Sequence, residues 1–231
     1  MAEITIKAKD GGSFMAYHAA PASGRGAGLV LIQEIFGVNQ VMRALADGYA
    51  RQGWHVVCPD LFWRQQPGIQ ITDKTDAEWA RAFELYKGFD VAKGVDDLKA
   101  TLAAARALPG CSGKVGSVGY CLGGKLAYLM ATRSDSDANV AFYGVAIEAD
   151  LGEAKNITRP LMLHIAEKDQ FVSADAQAQI KAALGAHPKL TIHVYAGQDH
   201  AFARVGGKHY DEPSANLANV RTAEFFRKNL G

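Results

Sequence analysis

No stretch of this 231-residue chain approaches the ~18 consecutive apolar residues of a membrane-spanning helix. The opening MAEITIKAKDGG alternates charged and apolar residues where a secretory signal would carry an apolar core. Both absences predict a cytoplasmic protein with no membrane partner. An excess of charge of either sign is also missing. With 25 Lys and Arg against 24 Asp and Glu the net charge is +1, so electrostatics gives no reason to expect nucleic acid or an anionic surface as partner. A small molecule is the expected ligand. Cysteine is scarce and odd in number: Cys58, Cys111 and Cys121 lie far apart, which suits reduced thiols better than a disulfide framework and leaves at least one of them a candidate for reactivity. His18, His55, His187 and His209 show no ligand spacing, and His164 and His193 fall within predicted strands, so neither a metal site nor a cofactor is expected. There is no internal repeat, low-complexity tract or linker, and the length suits a single domain over residues 1–231.

What is present is alternation. Strand-like segments are predicted at Ile4 to Ala8, Phe14 to Ala19, Leu29 to Gln33, His55 to Cys58, Val115 to Gly119, Val140 to Tyr143, Leu161 to Ile165 and Leu190 to Tyr195. Helical periodicity fills Val41 to Gln52, Asp76 to Tyr86, Val91 to Leu108, Lys125 to Arg133, Ala174 to Leu184 and Ser214 to Leu230. The order predicts an α/β fold: a mostly parallel twisted sheet of about eight strands with helices on both faces, entered by an antiparallel hairpin. In such sheets ligands gather at the carboxyl ends of the strands. The one long irregular connection, Leu61 to Thr75, has room to border a site. Trp79, Phe83 and Tyr86 share one helical face and are expected in the core.

The stretch GYCLGGKL, Gly119 to Leu126, fits two strand-turn-helix motifs. A phosphate loop needs Ser or Thr after its lysine to hold magnesium, and Leu126 occupies that position, so this reading loses its metal ligand. The nucleophile elbow accounts for each letter. Gly119 and Gly123 flank the turn where strand and helix must cross closely, and Cys121 is presented at the top of the sheet. A helix N-terminus favours the thiolate and offers the Leu122 amide to an oxyanion. The bland alternative is a small buried thiol.

A nucleophile of this kind needs a histidine base and an acid that orients it. His200 follows the strand TIHVYA and Asp169 follows the strand LMLHIA, in the chain order nucleophile, acid, histidine. Asp199 is the rival acid, but neighbouring side chains diverge, so Asp169 is preferred; taken singly, Asp169 also fits a helix cap.

Five segments, QEIFGVN, VCPDLF, FDVAKGVDDL, GKVGSVGYCLGG and DHAFAR, together resemble the dienelactone hydrolase (carboxymethylenebutenolidase) family, in order and over almost the whole chain. The resemblance implies a short, lid-poor α/β-hydrolase fold and a monomeric cytoplasmic esterase acting on lactones in the breakdown of aromatic compounds. It implies Cys121 as nucleophile, His200 as base and Asp169 as acid. It adds Glu34 as a carboxylate that meets the resting thiol and is displaced by substrate, and the Ile35 amide as second oxyanion donor beside that of Leu122. At the substrate it implies Arg204, Arg81, Tyr86 and Phe36. The chain departs from the family pattern where a second arginine is expected. Trp79 stands there, with Arg81 two residues later, and Phe83 and Tyr86 replace a tyrosine and a tryptophan. Arg81 substitutes by a local shift, or the site takes a different ester. Rival readings are an esterase for another small ester or thioester, and a non-catalytic binding module.

Overall fold

The computed structural model describes residues 2–231. They cluster into two compact units, one ending at Ser117 and the other beginning at Val118, and strand β5 (Cys111–Tyr120) runs through that junction.

The first unit opens with the hairpin of β1 (Ala2–Lys7) and β2 (Ser13–Ala19), antiparallel from Ala2 opposite His18 to Lys7 opposite Ser13. β2 pairs antiparallel with β4 (His55–Pro59), and β4 pairs parallel with β3 (Gly26–Ile32). β4 is buried along its whole length and β3 along nearly all of it, as strands covered on both faces must be, and this is why both read as unbroken apolar runs. Val56 and Val57 are fully buried, each contributing about 1.5–3 kcal/mol relative to exposure. Helix α1 (Gln40–Arg51) packs on β4, and α3 (Val91–Arg106) packs on β3 and β4. Asn39 caps α1 by accepting from the Met42 amide at 3.2 Å.

Helix α2 (Asp76–Lys87) corrects one expectation. Its buried residues are Ala82 and Leu85, whereas Trp79 and Tyr86 are half-buried and Phe83 is 37% exposed. The inward stripe is set by the pair three residues apart, and the aromatic face lies beside it. There Trp79 leans on Phe36 (5.1 Å, edge-on) and on Phe83 (5.6 Å). The connection 61–75 is irregular yet anchored. Asp60, buried, accepts from the amides of Phe62 (3.0 Å) and Gly68 (2.7 Å), and Gln33 accepts from the Leu61 amide at 3.1 Å.

The second unit carries α4 (Leu122–Arg133), β6 (Asn139–Phe142), a 3₁₀ helix (Ile147–Asn156), β7 (Leu161–Ala166), α5 (Ala174–Leu184), β8 (Leu190–Tyr195) and α6 (Glu212–Leu230). β6, β7 and β8 are parallel, with Ala141 opposite Leu163 and Leu163 opposite Ile192. The strand order is β1-β2-β4-β3-β5-β6-β7-β8, an eight-stranded, mostly parallel sheet. Helix α4 is buried almost all round, and it starts at Leu122, three residues before the predicted Lys125. His164 is a satisfied core histidine, with Nδ1 2.8 Å from the Tyr195 hydroxyl and Nε2 3.0 Å from that of Thr222. Burial holds its pKa well below the usual value.

The turn that follows β7 is held from α5. Gln177 is buried, and its Nε2 donates to the carbonyls of Ala166 (3.1 Å), Glu167 (3.2 Å) and Val172 (3.0 Å). Gln177→Leu leaves these carbonyls without that donor and is expected to lower stability by about 1–3 kcal/mol, read as a shift of the urea midpoint at unchanged slope.

Candidate active site

The second unit brings three of the predicted residues into one cluster. Cys121 follows β5 and caps α4 with φ 58° and ψ −116°, a left-handed conformation that costs a non-glycine residue about 1–3 kcal/mol. Its amide donates to the Phe142 carbonyl at 3.1 Å, while its own carbonyl accepts from the amides of Gly124 (3.0 Å) and Lys125 (3.2 Å), so the turn is bonded on both sides. Glycine is required at the crossing. A Cβ on Gly119 would fall on the Gly123 carbonyl, and one on Gly124 would meet the Phe142 carbonyl and the Gly144 backbone. Leu122, buried, is the first residue of α4, in the turn whose amides lack intrahelical acceptors.

Asp169 lies in the turn after β7 and His200 in the turn after β8, adjacent parallel strands whose ends therefore lie side by side. His200 Nδ1 donates to the Asp169 carboxylate, 2.9 Å from Oδ2 and 3.0 Å from Oδ1. Both side chains are withdrawn from solvent, 4% and 1% exposed. Oδ1 of Asp169 also accepts from the Phe171 amide at 2.9 Å. With Nδ1 occupied, His200 Nε2 is left buried without a nitrogen or oxygen partner. The neighbour that acts on the ring from elsewhere is the Cys121 sulfur, by charge and by a hydrogen-bonding approach not closed to full geometry, as is common at resting sites. Burial opposes a charge on this imidazole, but the charge on the Cys121 sulfur and the bond to Asp169 outweigh it, and the His200 pKa is raised to about 10.

Asp199 faces elsewhere. Its Oδ1 accepts from the amides of Gln170 (3.0 Å) and His200 (2.6 Å), and its Oδ2 lies 3.4 Å from His209 Nδ1. Desolvation works against its ionisation, yet these amides and the two histidines hold its pKa below the usual value.

Two contacts were not legible in the sequence. The His200 ring is flanked edge-on by Tyr143 (5.0 Å) and Phe171 (4.9 Å). Tyr143 is buried and Phe171 is 42% exposed. Tyr143 (φ 37°) and Ala201 (φ 63°) share with Cys121 a positive φ, so strained backbone gathers at this cluster. Arg204 is also buried, its amide closing a turn on the Ala201 carbonyl at 2.9 Å.

The other predicted residues belong to the first unit. Glu34, Ile35 and Phe36 follow β3 and are all buried. Arg81 is bonded to Glu84 (2.5 Å) and to Gln66 (2.6 Å), and Tyr86 is half-buried near the end of α2. Cys58 is fully buried, and desolvation pushes its thiol pKa far up, away from reactivity. No cluster of three or more metal-ligating side chains occurs among the described residues, nor any helix long and apolar enough to cross a membrane.

The sequence profile of the Dienelactone hydrolase family matches residues 14–230. A carboxymethylenebutenolidase of Pseudomonas putida is 39% identical, over 96% of this chain and 94% of its own. A protein of Azospirillum brasilense, provisionally named a carboxymethylenebutenolidase, is 55% identical with both chains covered in full. Among solved structures, a provisionally named dienelactone hydrolase from Klebsiella pneumoniae superposes with a TM-score of 0.86 at 27% identity, covering 98% of each chain.

Proposed function

Since the chain belongs to the dienelactone hydrolase family, we propose that it opens an activated, carboxylate-bearing enol-lactone through a cysteine acyl-enzyme, giving a maleylacetate-type product in the breakdown of aromatic compounds. The observation that carries this reading is the buried Asp169–His200 pair at 2.9 Å, with the Cys121 sulfur as the other partner acting on the imidazole. The Cys121 sulfur attacks the lactone carbonyl, and the Leu122 amide holds the oxyanion as charge develops. Collapse expels the enol oxygen, which takes a proton from the His200 imidazolium and leaves a ring-opened thioester. His200, now neutral, removes a proton from water as it attacks the thioester, and sulfur departs as thiolate. Asp169 keeps the proton-bearing nitrogen of the ring turned toward itself throughout.

Further assignments rest on the family likeness: Glu34 as the displaceable carboxylate, Ile35 as second oxyanion donor, Arg204 as the clamp on the substrate carboxylate, and Phe36, Arg81 and Tyr86 as substrate contacts. The same likeness supports a monomeric cytoplasmic enzyme. One observation favours a second reading, an esterase for a less anionic ester: the Arg81 guanidinium is already engaged by Glu84 and Gln66.

Steady-state rates on dienelactones and on uncharged aryl esters, for the wild type and Arg204→Ala, separate the two. Loss of one charge-assisted pair is expected to raise KM for the carboxylate-bearing lactone roughly tenfold to a hundredfold and to spare the aryl esters. A preference for uncharged esters that Arg204→Ala leaves unchanged defeats the lactone assignment.

A further inference from the structure

The turn 167–173, which carries Asp169, and the turn 196–203, which carries His200, are joined by three bonds besides the one between those two side chains. The Gly197 amide donates to Glu167 Oε2 at 2.7 Å, and the Lys168 amide donates to the Gln198 carbonyl at 2.8 Å. The third runs through one oxygen atom. Asp199 Oδ1 accepts from the Gln170 amide at 3.0 Å and from the His200 amide at 2.6 Å. Gln170 is the residue after Asp169, so a single carboxylate oxygen holds the backbone of the acid's neighbour and the backbone of the histidine itself. The other oxygen looks outward to His209 at 3.4 Å.

We propose that Asp199 is a positioning residue, whose Oδ1 fixes the register between the Asp169 turn and the His200 turn and so sets the Nδ1-to-carboxylate geometry. The proposal rests on the roles given above to Asp169 and His200. Helix α5 holds the first turn through Gln177, yet neither the acid nor the histidine lies on a regular element. β7 ends at Ala166 and β8 at Tyr195, three and five residues before the acid and the histidine, so each side chain is carried by turn backbone. A misplacement near 1 Å is enough to cost about a hundredfold in rate, and the shared acceptor restrains that freedom.

Two substitutions that both keep a polar side chain separate position from charge. Asp199→Asn leaves an oxygen where Oδ1 lies and removes the charge; Asp199→Glu keeps the charge and moves the oxygen by one methylene. In the full-length protein, kcat and KM on an activated lactone or ester are read beside the pH dependence of Cys121 alkylation by iodoacetamide, which needs no substrate. Asp199→Asn is expected to stay within about threefold of wild type with the same alkylation profile. Asp199→Glu is expected to lose about 10- to 100-fold in kcat with little change in KM and to shift that profile. The reverse ranking, or two variants that match wild type in both readouts, overturns the proposal. A wild type that hydrolyses no lactone or ester defeats the proposed function instead, while the alkylation profiles still decide the role of Asp199.

Discussion

Cys121→Ser is expected to lower turnover on the activated lactone by roughly 10³-fold or more. The reason lies in the protonation of the partner. An imidazole with a pKa near 10 carries its proton at neutral pH, and its main support, once the burial that opposes it is overcome, is negative charge on the Cys121 sulfur. A protonated ring beside a thiol eases the ionisation that attack requires. A serine hydroxyl ionises far less readily than a thiol, so its proton must be drawn off in the transition state at a much higher cost. Stopped-flow or steady-state rates on wild type and variant, with alkylation of the wild-type thiol as control, read the effect. Equal turnover by the serine variant, or full hydrolysis by alkylated wild type, would overturn the cysteine mechanism.

The raised His200 pKa makes stability depend on pH. His200 has a folded-state pKa raised above its ordinary 6.5, so its stabilising contribution is complete below about pH 6.5 and is lost as the pH rises through about 10. Urea unfolding across that window is expected to show the decline.

The parts legible in the sequence are those where chemistry restricts residue type. Gly119 and Gly123 announce the elbow because any Cβ at Gly119 would strike the helix, and Asp169 and His200 stand out because each follows a strand-like run, β7 buried throughout and β8 partly open to solvent. The mostly parallel sheet follows from the alternation of elements and the leading hairpin from two strands with no helix between them, whereas the placing of β4 between β2 and β3 does not. The start of α4 is hidden, since Gly123 and Gly124 read as helix breakers and only burial on nearly every side makes them helical. The 3₁₀ helix is hidden for a related reason. It lacks an apolar period and is held from outside, by Tyr128 donating to the Asp150 carbonyl at 3.2 Å and by Arg133 pairing with Glu153 at 2.6 Å. Tyr143 and Phe171 are hidden because their meeting with His200 joins segments distant in the chain. Asp199 is visible only as a competitor for the acid's role, and its two backbone partners appear only once both turns are folded.

Asp169→Asn carries the second large effect. Asparagine has nearly the same shape, and its oxygen can still accept from Nδ1, but the amide can equally present N–H and stabilise the wrong tautomer, and it offers no charge to the imidazolium. Turnover is expected to fall by roughly 10²- to 10⁴-fold, the range over which the tautomer and the charge act together. The variant also separates the two supports of the His200 pKa. Both the sulfur charge and the Asp169 carboxylate raise it, so removing one must leave a pKa lower than about 10, and the decline in stability with rising pH must begin at lower pH than in wild type. Cys121→Ala, which removes the larger of the two supports, should move that decline further toward neutrality. Urea midpoints at pH 6, 8 and 10 for the three proteins test the ordering. If Asp169→Asn and wild type lose stability over the same pH range, the carboxylate does not hold the proton on His200, and its place as the orienting acid falls with that result.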